Sequence, residues 1–485
     1  MRETVRFVLD GDVVQLHNVS PTRTVLEYLR EDLDRTGSKE GCAEGDCGAC
    51  MVVVADLHEG SVRYRALNSC IQFLATLDGK ALITVESLSR GGAMHPAQQT
   101  MIDQHGSQCG FCTPGFVMTL FALHQTQSNT PTSTEVDDAL AGNLCRCTGY
   151  RPIIDAARAM YDVETAWTSP WGSEQALHDQ LNELADGKSL TTGDADGNFV
   201  APRSVDDLAT LYASNPEATL VAGGTDVGLW VTKQYRDLPA IISIGGVPEL
   251  RTLEQDNDGL HIGAAVTFSE LMPSLLRHYP EFEDLLKRWA SPPIRNVATI
   301  GGNIANGSPI GDSMPPLMAV GTSVMLRQGE SRREVLLENL YHDYMKNDLR
   351  PGEFVETVRI PLRKPEQRIA AYKISKRFDQ DISAVCMGIS ATVSDETMLD
   401  VRVALGGMAG TVKRASACEQ ALEGQPIDET VFEAAAQAIA EDFEPMTDMR
   451  ATAAYRTRVA GNLIRRFGLS LTGQDEPLEV YTHER

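Results

Sequence analysis

No apolar stretch in the chain approaches the roughly 18 residues that a membrane span requires. The N-terminus, Met1 to Asp12, carries Arg2, Glu3, Arg6 and Asp10 where a signal peptide would hold an uninterrupted apolar core. A basic surplus is also missing: 43 Lys and Arg stand against 67 Asp and Glu, a net charge of −24. Charge of that sign repels nucleic-acid phosphates and anionic lipid, and no Lys/Arg run interrupts it. Internal repeats and a low-complexity tail are absent as well. These gaps predict a cytoplasmic protein with neither nucleic acid nor membrane as partner.

What the chain does have is length and clustered sulfur. Its 485 residues, 42% hydrophobic and 23% charged, suit three or four domains with ordinary cores. Ten cysteines would make five disulfides in a secreted protein, yet eight fall within the first 150 residues at short intervals, while Cys386 and Cys418 stand alone. In a reducing compartment such clusters are more often metal ligands than bridges.

The pattern along the chain is α+β throughout. Val5, Phe7 and Leu9 alternate into Asp10-Gly11 and then Val13 to Leu16, which reads as a hairpin. Val25, Leu26, Leu29 and Leu33 form a helical stripe that ends near Gly37. Met51 to Ala55 and Val62 to Leu67 read as strands. The period then turns helical, with Phe116 to Leu123 and Val136 to Leu140 as helices and Thr134 and Asp137 as the capping signal before the second. Residues 166–198, with Ser169-Pro170, Gly172, Gly187 and the run Thr191 to Gly197, have the composition of a linker. A larger α/β segment starts at Phe199. Beyond residue 369, strand-like Ile382 to Thr392 and Leu399 to Leu405 alternate with helical Ala415 to Leu422, Thr430 to Glu441 and Ala451 to Arg466.

Cys42-x4-Cys47-x2-Cys50, with Cys70 after nineteen intervening residues, has the plant-type spacing for a 2Fe-2S cluster. Two irons sharing two sulfides need three thiolates from one tight loop and a fourth from elsewhere, and Gly41, Gly45 and Gly48 let such a loop close. Structural zinc prefers two separated pairs. The second set is two pairs, Cys109-x2-Cys112 and Cys145-x-Cys147, which spacing alone leaves open between zinc and 2Fe-2S.

The strings GCAEGDCGAC, SQCGFCTPGF and NLCRCTGYRP closely resemble the paired iron-sulfur domains of the xanthine dehydrogenase and molybdenum hydroxylase family. The resemblance implies 2Fe-2S clusters at both constellations: a β-grasp ferredoxin-like domain over 1–88, with Cys42, Cys47, Cys50 and Cys70, and a helical-bundle domain over 89–165, with Cys109, Cys112, Cys145 and Cys147. It also implies that the second cluster lies nearer a molybdopterin, with Gln108 at the position that touches the pterin, and the first on the flavin side.

Strand-like Thr219 to Ala222 runs into Gly223-Gly224-Thr225-Asp226-Val227-Gly228. Glycines at a strand end let amides approach a diphosphate, although the same string describes a plain strand-turn-helix corner and is not the Gly-x-Gly-x-x-Gly fingerprint. Asp226 must point away from any phosphate. A second Gly-rich stretch, Thr299 to Asn303, precedes Ser308 to Asp312, and Asp312 suits sugar or ribityl hydroxyls. The pair resembles the family's FAD domain of vanillyl-alcohol-oxidase type (199–368), followed by an α+β C-terminal flavoprotein domain (369–485). On that resemblance the FAD contacts are Leu220, Val221, Ala222, Gly223, Gly224, Thr225, Asp226, Val227, Trp289, Thr299, Ile300, Gly301, Gly302, Asn303, Asp312, Val355 and Lys373. Trp289 and Val355 replace other apolar types found in relatives. The mixed-charge segment Tyr372 to Ser383 reads as a solvated loop on its own; it is similar to the family's NAD-binding segment, which points to Arg377 and Asp381.

Iron-sulfur centres pass electrons singly and NAD+ takes a hydride, so a flavin is the natural converter. The family resemblance implies an electron conduit whose input is a separate molybdopterin-binding large subunit that oxidises hypoxanthine and xanthine, joined as a dimer of heterodimers. A partner for aldehydes or heteroaromatic acids is the alternative, and having both iron-sulfur domains and the flavin domain on one chain favours the purine enzyme. A non-enzymatic module with structural zinc is the remaining reading. About four irons and four labile sulfides per chain distinguish it from two clusters.

Overall fold

Asp10 and Gly11 both take positive φ, 54° and 87°, the left-handed values a two-residue hairpin turn demands, and they join β1 (Val5–Leu9) to β2 (Asp12–Leu16). With β3 (Met51–His58), β4 (Ser61–Asn68) and β5 (Ala81–Ile83) these strands make a five-stranded sheet of order β2-β1-β5-β3-β4, in which β1 and β5 are parallel. A Thr24–Glu27 capping box starts α1 (Val25–Glu27), which continues as a π-helical turn, Tyr28–Asp32. The expected stripe of Val25, Leu26 and Leu29 is buried, but the change of pitch ends regular helix earlier than the sequence predicts.

The computed structural model describes residues 1–472, and the expected C-terminal domain therefore has its last stretch, 473–485, outside the described residues. The chain divides into two compact units: Met1–Leu250 with Thr267–Ser269 and Ala290–Thr299, and Arg251–Val266 with Glu270–Trp289 and Ile300–Arg485. Among the described residues no helix is long and apolar enough to cross a membrane.

In the first unit the sheet is followed by a helical bundle of α2 (Pro96–Asp103), α3 (Thr113–Thr126), α4 (Ser133–Leu140) and α5 (Arg151–Ala159). The capping signal of α4 sits two residues earlier than expected. Thr132 is the N-cap and pairs reciprocally with Glu135, while Thr134 lies inside the helix.

Residues 166–198 are not a linker. They contain α6 (Glu174–Leu184), whose Leu177, Leu181 and Leu184 are buried at a spacing of four and three, and the strand Leu190–Asp194. Arg2 and Arg6 reach Asp186 at 3.2 and 2.7 Å, which ties this segment to the N-terminal strand. The polar, Gly-rich run that suggested flexibility is a hairpin, Leu190–Asp194 against Gly197–Ala201. These two strands join Ala240–Ser243 and Thr219–Val221 in a four-stranded sheet, with α7 (Val205–Ser214) and α8 (Val227–Thr232) between them in sequence.

The second unit holds two larger antiparallel sheets and a two-stranded ribbon, Tyr341–Asp343 with Lys346–Asn347. Leu253–Gln255, Leu260–Gly263, Phe354–Ile360, Ser323–Gln328 and Ser331–Leu336 form the first in that order, and Gln367–Ile374, Val385–Ser394, Thr397–Gly406 and Lys413–Arg414 form the second. Helices Ser416–Leu422, Glu429–Asp442 and Ala453–Leu471 contribute to one apolar core with that second sheet. The strand expected from Ile382 starts at Val385, and the helix expected from Ala451 starts at Ala453 behind an N-cap, Thr452.

Candidate iron-sulfur and flavin sites

The eight early cysteines meet as two groups. In the loop before β3, the Cys42 sulfur touches those of Cys47 and Cys70, and Cys50 touches Cys70. Three backbone amides, those of Glu44, Asp46 and Cys47, converge on Cys42 Sγ at 3.4 Å each. The Cys47 thiol, then Cys70, then these amides hold Cys42 well below the ordinary thiol range. Donation to Cys42 pushes Cys47 and Cys70 up, while the Cys70 thiol outweighs burial and lowers Cys50. Asn68 adds a long contact to Cys50 Sγ, 3.9 Å. Such donors are what a thiolate ligand needs around it.

In the bundle, Cys112 pairs with Cys145 and Cys109 with Cys147. Burial, then the neighbouring Cys145, pushes Cys112 up to about 12. Burial also works against a Cys145 thiolate, but the Thr148 hydroxyl at 3.2 Å and the Cys147 amide at 3.5 Å outweigh it and the thiol is lowered. Among the described residues no three His, Cys, Asp or Glu side chains are grouped to hold one metal ion. In the bundle the sulfurs approach in two pairs, which suits a two-iron cluster in which each iron takes two thiolates, and in the loop before β3 four sulfurs are linked in one group. On donor chemistry and geometry both sets fit 2Fe-2S clusters.

The two cluster loops interlock. The Leu144 amide, one residue before Cys145, donates to the Cys47 carbonyl at 3.0 Å. At the start of α3, Gly115 lies so close to Gly48 that a Cβ there would stand 2.0 Å from the Gly48 carbonyl. Any side chain at 115 would force the loops apart.

The predicted flavin residues divide between the units. In the first, Thr219–Val221 is the expected strand and Leu220 lies on it. The Gly223 Cα faces the Val297 carbonyl, where a Cβ would stand at 1.8 Å, so close backbone packing as well as any ligand demands this glycine. Gly224 takes the left-handed φ of 73°. Asp226 turns to Trp230 Nε1 at 3.0 Å; burial raises its pKa against the opposing Trp230 bond. Val227 opens α8, and Thr299 is buried.

In the second unit the Gly-rich residues Ile300, Gly301, Gly302 and Asn303 form the first turn of a helix, Ile300–Asn306. Its packing explains why: Gly301 sits on Ala264, where a Cβ would come within 2.4 Å. Asn303 Oδ1 accepts from Ser313 Oγ at 2.5 Å. Asp312 and Lys373 form a buried ion pair at 2.5 Å, with side chains 4% and 2% exposed. Lys373 also donates to the Asp381 carbonyl at 2.7 Å and Ser383 Oγ at 3.0 Å, whereas Asp312 Oδ1 is buried without a partner. An orphaned acceptor of this kind is satisfied by a hydroxyl or N–H of a bound group, so these residues fit a flavin. Trp289 and Val355 are both buried, the first as the C-cap of helix Glu283–Arg288 and the second within Phe354–Ile360.

Arg377 and Asp381 come together. The Arg377 amide donates to Asp381 at 2.8 Å and the side chains pair at 3.4 Å. Burial would raise Asp381, but the Arg377 amide and charge hold it below the ordinary carboxylate range. No sequence pattern points to Arg288, a buried guanidinium that donates to the Lys373 and Phe378 carbonyls and to Ser375 Oγ and lies over the Phe378 ring. Only the fold brings it to this loop.

Four family models match in sequence order: a 2Fe-2S iron-sulfur cluster binding domain over 7–73, a 2Fe-2S binding domain over 84–158, the FAD binding domain in molybdopterin dehydrogenase over 194–363 and the CO dehydrogenase flavoprotein C-terminal domain over 370–471. Xanthine dehydrogenase of Drosophila pseudoobscura pseudoobscura is 32% identical over 490 residues, covering 89% of this chain and 36% of the relative. That of Emericella nidulans is 31% identical over 506 residues, covering 91% and 36%. The chain thus spans about a third of the length of these relatives. Among solved structures, a chain of carbon monoxide dehydrogenase from Hydrogenophaga pseudoflava matches with TM-score 0.53 and 28% identity, over 55% of this chain and 94% of its own. Two 2Fe-2S domains, an FAD-binding domain and its C-terminal companion in this order mean that the chain belongs to the xanthine dehydrogenase and molybdenum hydroxylase family, as its iron-sulfur and flavin portion.

Proposed function

We propose that the chain is the electron-transfer subunit of a xanthine dehydrogenase. Electrons from a molybdopterin partner that oxidises hypoxanthine and xanthine to urate would cross the Cys109–Cys147 cluster, then the Cys42–Cys70 cluster, and leave through FAD to NAD+. The observation that carries this reading is the hydrogen bond from the Leu144 amide to the Cys47 carbonyl, a direct covalent and hydrogen-bonded path from a ligand loop of one cluster to a ligand of the other. The direction rests on exposure. Cys109 and Cys147 are exposed beside Phe111 and Leu144, 48% and 43% exposed, while Cys50 and Cys70 are buried. An open redox ligand flanked by apolar side chains suits the face of a large partner, and Gln108 is exposed on the same loop.

FAD, when bound, exchanges electrons singly with iron-sulfur centres and in pairs with NAD+. Each unit would contribute its own contacts: Leu220–Val227 and Thr299 from the first, and from the second Ile300–Asn303, Trp289, Val355 and the orphaned Asp312 carboxylate, which Lys373 fixes and which suits a hydroxyl or ring N–H. Arg377 and Asp381 would meet the nicotinamide nucleotide, on a loop that Arg288 holds by three hydrogen bonds. The assembly would be a dimer of heterodimers in the cytoplasm.

Isolation of the complex from its native source tests the reading. The expected result is a second, molybdopterin-bearing polypeptide and NAD+-dependent oxidation of xanthine, while the chain alone reduces dyes with NADH and leaves xanthine untouched. A co-purifying subunit active on aldehydes or heteroaromatic acids but not on xanthine overturns the substrate assignment. Failure of NADH to reduce the flavin overturns the acceptor.

A further inference from the structure

We propose that Thr232, at the end of α8 in the flavin-binding segment, is a positioning residue that sets the reduction potential of the first cluster. Of the two carbonyls within reach of its hydroxyl, that of Ala43 at 2.7 Å, across 189 residues of sequence, is nearer than that of Gly228 at 3.1 Å, one helical turn back. Ala43 follows the ligand Cys42 and takes a left-handed φ of 55°, unusual for a residue with a Cβ. The same peptide unit carries the Glu44 amide, which points at Cys42 Sγ at 3.4 Å.

A trans peptide is planar, with its C=O and N–H directed oppositely. Holding the Ala43 carbonyl therefore aims the Glu44 N–H at the sulfur, and a donor on the carbonyl also polarises that N–H and strengthens it as a donor. The next residues of the loop supply the other two N–H groups on Cys42, so an Ala43–Glu44 peptide free to turn would loosen the whole cradle. Lys233, adjacent to Thr232, adds a 3.5 Å contact to Glu44, so α8 grips the loop at two successive residues.

Hydrogen bonds to cluster sulfurs favour the reduced, more negative state and raise the potential. Thr232 thus makes the first cluster a better acceptor, and it does so from the helix that follows the Gly-Gly-Thr turn. Loss of its hydroxyl should lower that cluster's potential and leave the second cluster alone.

The test is a redox titration of the full chain followed by electron paramagnetic resonance, with the first cluster's signal assigned by its change in Cys42→Ser. In Thr232→Val the reduced-to-oxidised ratio of the first cluster at a fixed potential should fall about threefold, or about 28 mV at 59 mV per tenfold for one electron. Thr232→Ser, which keeps the hydroxyl, should match the wild type, and the second cluster should titrate unchanged in both. An unshifted first cluster in Thr232→Val overturns the proposal, and so does an equal shift of both clusters. Loss of the first cluster in the Val variant alone supports it; loss in both variants shows a role for side-chain shape and overturns it.

Discussion

Lys373 and Asp312 are the most consequential ion pair to break, and the structure predicts that the two single substitutions are unequal. Both side chains are almost wholly buried and meet at 2.5 Å, but their other partners differ. Lys373 keeps the Asp381 carbonyl and Ser383 Oγ if Asp312 is neutralised. Asp312 has an orphaned Oδ1 already, so without Lys373 its buried charge loses the ammonium. Lys373→Met should therefore cost about 3 to 5 kcal/mol, the range for stranding a buried charge. Asp312→Asn removes one charge-assisted hydrogen bond and should cost about 1.5 to 3 kcal/mol. The double variant Asp312→Leu/Lys373→Met strands nothing and should lie closer to wild type than Lys373→Met does. At an m-value of about 3 kcal/mol per molar urea, the Lys373→Met midpoint falls by about 1 M or more. Urea unfolding followed by far-ultraviolet circular dichroism, with FAD content measured in parallel, reads all three. A Lys373→Met protein within about 1 kcal/mol of wild type, or an Asp312→Asn protein less stable than it, would refute the reasoning.

Three further outcomes follow from the packing and burial of single residues. Gly223→Ala should destabilise by about 2 kcal/mol or more, because the added Cβ would meet the rigid Val297 carbonyl at 1.8 Å, whereas Gly224→Ala, strained only by its φ of 73°, should cost about 1 kcal/mol; equal thermal shifts in the two variants count against this. His95 is 1% exposed and burial lowers its pKa to about 3, so the unfolded chain binds the extra proton between about pH 6.5 and 3. Its contribution is complete above pH 6.5 and is lost on acidification at up to about 1.4 kcal/mol per pH unit, a slope that His95→Gln should flatten in denaturation series at pH 7 and pH 5. Cys109→Ser should lower iron from about four to about two per chain and leave the Cys42–Cys70 cluster's absorbance; loss of all iron would contradict two independent sites.

The cysteine sites were legible because their information is local. Three ligands and the glycines that bend around them lie within ten residues, so spacing alone specifies the loop. The hairpin at Asp10-Gly11 was readable for the same reason. Contacts that bridge long separations were not: Thr232 to Ala43, Leu144 to Cys47 and Arg288 to the 373–378 loop have no sequence signature. Composition misled at 166–198, where three leucines at helical spacing outweigh the glycine and serine around them, and it left unsaid that the paired glycines after Thr299 permit close helix packing. At Gly223 a residue type that suggested a ligand is also required by the Val297 backbone. Asp312 is suggested by its chemistry and by resemblance, and Lys373 by resemblance alone, but their ion pair and the unpaired oxygen are visible only in the folded chain.

The outward placement of Cys109 and Cys147 has a practical corollary for anyone handling the protein. Peroxide, chelators and dissolved oxygen reach exposed thiolates first, so stored material should decay in sequence from its surface inward. Brown colour would fade in two stages, and a sample that has lost half its sulfide would still hold the interior centre guarded by Cys50 and Cys70.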